Sequence, residues 1–199
     1  MADALYLSVW FPSFTAAEMM PRLLSVLRQF PFSTKRPGIT SIAVHPLSWS
    51  ESPVFAETFA LQAEPEHAVG LAGEFLHSDY GYEFQAYWDL WMPLADEAQQ
   101  AWTLRPNAVR FIAHGVEFEE GIYQQDGHIQ IDFGLDLPFL HEDERFTDQT
   151  ERSVRANVQK LVGFTNAVEK NCGISGRVLW SESEENLAQK LIARLQRVQ

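Results

Sequence analysis

The stretch GHIQIDFGLDLPF (127–139) alternates apolar and polar residues over nearly its whole length. In an extended strand, the odd-numbered positions fall on one face and the polar side chains fall on the other. The preceding segment AVRFIAHGVEFEEGIY (108–123) is also rich in β-branched and aromatic residues. Between the two stands QQDG, whose Asp126 and Gly127 tolerate the positive φ of a tight turn. The sequence therefore predicts one long β-hairpin over residues 108–139.

The predicted turn also sets a register, which decides which side chains share a face. With the Asp-Gly pair at the centre of the turn, Gln125 pairs with His128 and Glu117 stands opposite Asp136. Four carboxylates, with no Lys or Arg among them, then lie on the polar face: Glu117, Glu119, Asp132 and Asp136. We predict a candidate binding face formed by these acids together with His114 and His128.

Three interpretations of this acidic face stay open: a solvated outer side of the sheet, a docking surface for a basic partner, or a metal or catalytic site. At a rise of ~3.3 Å per residue, Asp132 lies ~13 Å from both His128 and Asp136, too far to share one ion directly. Only Glu117 and Asp136, paired across the strands, could hold a cation or share a proton. A hydrolase that uses this pair, with His114 beside a predicted bulge, is therefore an alternative.

Residues 1–92 are predicted to contain strands and helices in the order strand, helix, strand, strand, helix, strand. The first helix follows a capping box made by Thr15 and Glu18. The element order is that of a ferredoxin-like βαββαβ unit. The predicted fold class is thus α+β, a mainly antiparallel sheet in which this unit is extended by the long hairpin, with helices packed on one face. We expect a single domain over 1–199, in which 105–199 forms a sub-unit with the hairpin and two helices.

The chain carries a strong negative charge. Its 15 Lys and Arg stand against 27 Asp and Glu, which gives a formal net charge of −12 over 199 residues. The electrostatic term that drives binding to nucleic acids and anionic membranes then has the wrong sign, so we expect neither partner. The lone Cys172 excludes an intrachain disulfide and fits a reducing compartment. Because the opening MADALYLSVWFPSF lacks a basic signal-peptide segment, we expect a cytoplasmic protein. We also expect no metal or other cofactor.

Aromatic side chains indicate a second kind of site. The segment DYGYEFQAYWDLWMP (79–93) is predicted as a strand. Its Tyr87 and Trp91 share one face and are candidates for an aromatic pocket that binds a flat small molecule. The same side chains could equally pack under a helix. The sequence contains no Gly-rich phosphate loop, no GxSxG elbow and no HExxH motif.

The acidic face and the net charge together favour a non-catalytic binding or interaction protein. An inhibitor or immunity-type protein for a basic partner is one concrete form of this hypothesis, and a homodimer is the other association considered. Two alternatives stay open: the carboxylate-pair hydrolase and small-molecule binding in the aromatic pocket. Whether the chain is an enzyme is left open, with the absence of a catalytic motif favouring a binding role.

Overall fold

The computed structural model describes residues 3–93, 102–140 and 147–182, together with residues 187, 189, 191 and 192. Within them the chain is α+β, with seven strands in one antiparallel sheet and five helices. The strands are β1 (Ala4–Trp10), β2 (Ile39–Pro46), β3 (Phe55–Ala63), β4 (Tyr80–Pro93), β5 (Trp102–His114), β6 (Ile129–Leu135) and β7 (Gly176–Ser181). The helices are α1 (Ala16–Leu27), α2 (Pro65–Gly73), α3 (Tyr123–Asp126), α4 (Leu137–Leu140) and α5 (Asp148–Asn171), with a 3-10 turn at Phe118–Glu120.

The strands lie in the order β3-β2-β4-β5-β6-β1-β7, and every neighbouring pair is antiparallel. The order of elements predicted for residues 1–92 is observed. The ferredoxin-like unit is not confirmed, because β1 pairs with β6 and β7 whereas β4 pairs with β2 and β5. The first four strands therefore do not form a sheet of their own.

The alternation of apolar residues along the strands builds one hydrophobic cluster. Leu7 of β1, Ile131 of β6 and Phe111 of β5 stand side by side across the sheet, and all three are fully buried. Helices α1, α2 and α5 contribute buried side chains to the same cluster. Phe30, which follows α1, stacks on Trp88 of β4 at a ring distance of 5.5 Å. Both rings are buried in this cluster.

Local signals set the start of the first helix as predicted. Glu18 accepts a hydrogen bond from the backbone N–H of Thr15 at 3.0 Å, which closes the capping box before Ala16. Three hydrogen bonds, from Ser13 and from the N–H and hydroxyl of Thr15, lower the pKa of Glu18 to about 2. The carboxylate therefore stays ionised and satisfies the Thr15 amide group, which the helix itself leaves unpaired.

The predicted hairpin register is wrong. β5 ends at His114, β6 begins at Ile129, and Arg110 stands opposite Asp132. The segment between the two strands forms the 3-10 turn and α3, so the Asp-Gly pair ends a helix where a two-residue turn was expected. The physical reason is tertiary, because the backbone N–H of Gly115 donates to Tyr80 O at 2.9 Å and draws this segment over the start of β4.

Some predicted features lie outside the described residues. The segment 94–101 joins the two predicted sub-units, and only isolated positions of the predicted C-terminal helix are described. Of these, Leu187 and Leu191 are helical and buried in the hydrophobic cluster. Among the helices in the described part of the chain, none has the length and apolar character needed to cross a membrane.

Candidate functional site

Three loops meet at one end of the sheet, where β2 and β5 end and β4 and β6 begin. We call residues 47–54, 77–79 and 115–127 the acidic loop cluster. It contains six carboxylates and neither Lys nor Arg; the acids are Glu51, Asp79, Glu117, Glu119, Glu120 and Asp126. The strand ends bring these loops together, although they are distant in sequence.

Backbone hydrogen bonds tie the three loops to one another. The N–H of Glu119 donates to Leu47 O at 2.9 Å, and the N–H of Leu47 donates to Asp79 O at 2.8 Å. Two carboxylates reinforce these links: Glu117 accepts from the Ser78 hydroxyl at 2.6 Å, and Glu119 accepts from the Trp49 N–H at 2.7 Å. The carboxylates are thus part of the scaffold that holds the loops, and the loops have fixed relative positions.

The acidic loop cluster also holds all the described non-glycine residues with positive φ. These are Leu47 (φ 63°), Glu119 (φ 48°) and Glu120 (φ 56°). Each left-handed residue of this kind costs about 1–3 kcal/mol, and the cost is tolerated only where surrounding contacts impose the conformation. Three large apolar side chains of the cluster are exposed, namely Leu47 (59%), Val54 (48%) and Val116 (36%).

Phe118 anchors the cluster to the sheet. Its ring is fully buried and lies directly on Gly81, at a position where a Cβ would be 2.6 Å from the ring. The indole of Trp49 meets the same ring edge-on at 4.8 Å. A side chain at position 81 would therefore displace the turn that carries Glu119 and Glu120.

Two buried histidines lie beneath the cluster: His114 is the last residue of β5, and His128 immediately precedes β6. The Nδ1 of His114 is 2.8 Å from Gly127 O, and it must donate because a carbonyl only accepts. The Nδ1 of His128 accepts the backbone N–H of Phe11 at 3.0 Å. Burial lowers the pKa of both, an effect that the neighbouring Asp126 and Glu119 partly oppose at His114. Both imidazoles are therefore neutral at pH 7.

Asp132 belongs to a different part of the molecule. Its carboxylate is buried on the face of the sheet away from the core, where it accepts from the Arg110 guanidinium at 2.5 Å across the β5–β6 pair. It also accepts from the Gly134 N–H at 2.8 Å. Glu83 contacts the same guanidinium at 3.6 Å, and these contacts raise the pKa of Arg110 although burial alone lowers it. Asp132 therefore carries a compensated charge.

Asp136 lies at the other end of β6. It accepts from the backbone N–H of Asp3 at 3.1 Å, and its own N–H donates to Asp3 O. Asp136 and Glu117 are consequently separated by the whole length of β6, roughly 20 Å at the strand rise. The predicted pairing of Glu117 with Asp136 is wrong, so this pair can neither clasp one cation nor share a proton. Of the four predicted carboxylates, the structure brings together Glu117 and Glu119.

Tyr87 and Trp91, the aromatic pocket candidates, already have structural partners. The Tyr87 hydroxyl accepts from Gln85 at 3.0 Å, and its ring lies 4.6 Å beneath the Arg36 guanidinium. The backbone of Trp91 exchanges two hydrogen bonds with the side-chain amide of Asn157, at 2.9 and 2.8 Å. A groove of about 490 Å³ does exist elsewhere, between α1 and the end of α5, and neither ring lines it.

Cys172 lies in the lining of that groove as a buried thiol. Its Sγ donates to Ser25 O at 3.4 Å, and burial raises its pKa. The thiolate form that a nucleophile requires is therefore disfavoured. Within the described residues, no group of three or more His, Cys, Asp and Glu side chains is placed to hold a metal ion.

Of the six carboxylates in the acidic loop cluster, the sequence prediction contains Glu117 and Glu119, and it contains neither Leu47 nor Trp49. A usable signal was present in the glycines, because Gly81 opens a strand and Gly115 follows one. Both permit close approach of another chain segment, and a Cβ on Gly115 would be 2.2 Å from Ser78 O. Comparison of the chain with protein-family models, with curated proteins and with solved structures finds no match.

Proposed function

We propose that this chain is a non-catalytic binding protein that docks a cationic partner, a basic protein or a basic peptide segment, on the acidic loop cluster. The observation that carries this proposal is the convergence of six carboxylates, without Lys or Arg, around three exposed apolar side chains, Leu47, Val54 and Val116. An inhibitor or immunity-type protein for a basic partner would use such a surface.

The composition of the surface matches what an interface requires. Apolar residues near the centre supply burial, whereas a charged rim supplies orientation and a faster association rate. The hydrogen bonds between the loops pre-organise Leu47 and its carboxylate neighbours, which lowers the entropic cost of binding. The net charge of −12 attracts a cation at longer range and repels polyanions and a second copy of the chain. A basic partner is therefore favoured over nucleic acid, an anionic membrane or a homodimer at this surface.

The hydrolase alternative is not carried forward, since Glu117 and Asp136 are held at opposite ends of β6. Small-molecule binding between Tyr87 and Trp91 is likewise not favoured by a specific contact. The acidic loop cluster instead presents a surface whose carboxylates and exposed apolar side chains suit a macromolecule.

The proposal is tested with an array of lysine- and arginine-rich, neutral and acidic 15-residue peptides. The test variant is Glu51→Lys/Glu120→Lys, which reverses two exposed glutamates of the acidic loop cluster. The matched control is Glu57→Lys/Glu74→Lys, which makes the same change in net charge at two exposed glutamates elsewhere. Far-UV circular dichroism checks that both variants fold.

We expect wild type and control to bind basic peptides at 50 mM salt and to lose them near 0.3 M salt, because screening weakens exposed charge pairs. The test variant should bind about tenfold more weakly than the control, which corresponds to about 1.4 kcal/mol. Equal weakening in the two variants would show that only the overall charge matters. That result, or a failure of wild type to retain any basic peptide, refutes the proposal.

A further inference from the structure

We infer that His128 is a pH-sensitive latch: in its neutral form it holds the segment Phe11–Thr15, which joins β1 to α1, and in its protonated form it releases that segment. The latch consists of the His128 ring, the backbone N–H of Phe11 and the two rings that enclose the imidazole. It lies beneath the acidic loop cluster, and of its parts only the Tyr123 ring belongs to that cluster.

The hydrogen bond between Phe11 and His128 works in one protonation state only. A backbone N–H can only donate, so the Nδ1 atom 3.0 Å away must carry a lone pair. A protonated imidazole has hydrogens on both nitrogens and cannot accept. Protonation therefore sets two donors against each other, at a place where both residues are buried and water cannot take over the bond.

The ring has little freedom to move away from this conflict. Phe14 stacks on one side at 4.6 Å with an interplanar angle of 13°, and Tyr123 of α3 stacks at 4.8 Å with an angle of 11°. A charged ring would gain cation–π attraction from both neighbours. That attraction does not give the N–H of Phe11 a new acceptor. The repulsion between this N–H and the protonated Nδ1 is therefore relieved only when the segment Phe11–Thr15 or α3 shifts.

Charged and titratable groups approach the latch from several elements. His114 of β5 donates its backbone N–H to His128 O at 2.9 Å. The nearby His114 imidazole disfavours a positive charge on the His128 ring. From α3, Tyr123 faces the ring, and Asp126 lies near His114. Glu119 also lies near His114, whereas Arg22 of α1 lies over the Phe11 ring at 5.3 Å. Burial, and then His114, lower the pKa of His128, so the latch is closed at pH 7.

Opening of the latch reaches the acidic loop cluster through Gly127. This residue (φ 94°) accepts the hydrogen bond from His114 and lies against β1, where an added Cβ would be 2.7 Å from Val9 N. Gly127 is joined directly to His128 and ends the cluster. A shift of His128 therefore displaces α3 and Asp126. Loss of partner binding at acid pH follows from this geometry, and that consequence alone rests on the proposed function.

The test follows the imidazole nitrogens and the amide of Phe11 by NMR on the full chain between pH 7.5 and 4.5. At pH 7.5 we expect His128 to carry its hydrogen on Nε2 and Phe11 to be protected from exchange. As His128 titrates, the protection factor of the Phe11 amide should fall at least tenfold. The variant His128→Asn keeps an oxygen acceptor near the Nδ1 position but cannot titrate, so it should abolish this step. His67→Asn, at an exposed histidine of α2, should preserve it.

Three results would each overturn the latch: constant Phe11 protection through the His128 titration, the same step in His128→Asn, or a His128 that stays neutral down to pH 4.5. If His128→Asn does not fold, the tautomer and titration of the wild-type ring still decide the matter. Binding of the basic peptides is measured separately at pH 7.5 and 5.5. Because the Phe11 amide needs no partner, failure of the latch is distinguished from failure of the proposed function.

Discussion

The contact between Phe118 and Gly81 makes a sharp prediction, because these residues meet only if segment 115–128 folds back over β4. In the hairpin register that the sequence alone favours, position 118 pairs with Leu135 and has no relation to Gly81. The structure instead places the Phe118 ring on the glycine Cα. We therefore propose a double-mutant cycle of Gly81→Ala and Phe118→Ala.

The expected magnitudes follow from the distances. An alanine Cβ at position 81 would be 2.6, 2.8 and 3.0 Å from three atoms of the ring, well inside the ~3.5–4.0 Å of normal carbon contacts. Overpacking of this kind should lower the free energy of unfolding by about 1–3 kcal/mol. Phe118→Ala removes a fully buried ring and should cost about 3–5 kcal/mol.

The two changes should not add. In the Phe118→Ala background the new methyl group enters space that the ring has left, so Gly81→Ala should be neutral or stabilising by up to about 1 kcal/mol. The coupling energy should therefore be about 1–4 kcal/mol. Urea unfolding followed by circular dichroism measures it. A control is Gly163→Ala, a helical glycine of α5 with open space around it, which should stabilise by about 0.5–1 kcal/mol. Additivity within about 0.5 kcal/mol would refute the packing of this loop on β4.

Arg110→Ala should lower the free energy of unfolding by about 1–3 kcal/mol, because it leaves the buried Asp132 carboxylate without its cation. Glu83→Gln should change the free energy of unfolding by less than about 0.5 kcal/mol. Equal effects of the two variants in urea unfolding would contradict this assignment. The free energy of unfolding should also fall in mild acid, because burial holds the pKa of His114 and His128 below the ordinary 6.5. The contribution of the two histidines to this free energy is complete above pH 6.5. It is lost as the pH falls from 6.5 through the pKa values of the folded protein. The slope is at most about 1.4 kcal/mol per pH unit for each histidine. Unfolding curves that are identical at pH 7 and 5.5 would show that the two rings are not buried in their neutral forms.

Several features of the fold were readable from the sequence because they depend on neighbours along the chain. The capping box at Thr15 predicts the start of α1, and alternation predicts β4 and β6. The candidate site was only partly readable. The absence of nearby Lys and Arg in the sequence marks Glu117 and Glu119 correctly. It also includes Asp132, because the predicted hairpin register does not place Arg110 opposite this residue, whereas the structure does.

The amino-acid sequence by itself determined the α+β class, the alternation of apolar and polar residues along the strands and the net charge of −12. Composition is an additive property of the residues, and periodicity is a local one. Only the tertiary structure decided that β1 lies between β6 and β7, and that segment 115–128 forms a turn and a helix. Both outcomes depend on contacts between residues far apart in the chain. The Asp-Gly pair is compatible with a tight turn and with a helix end, and the burial of Phe118 against Gly81 selects the second.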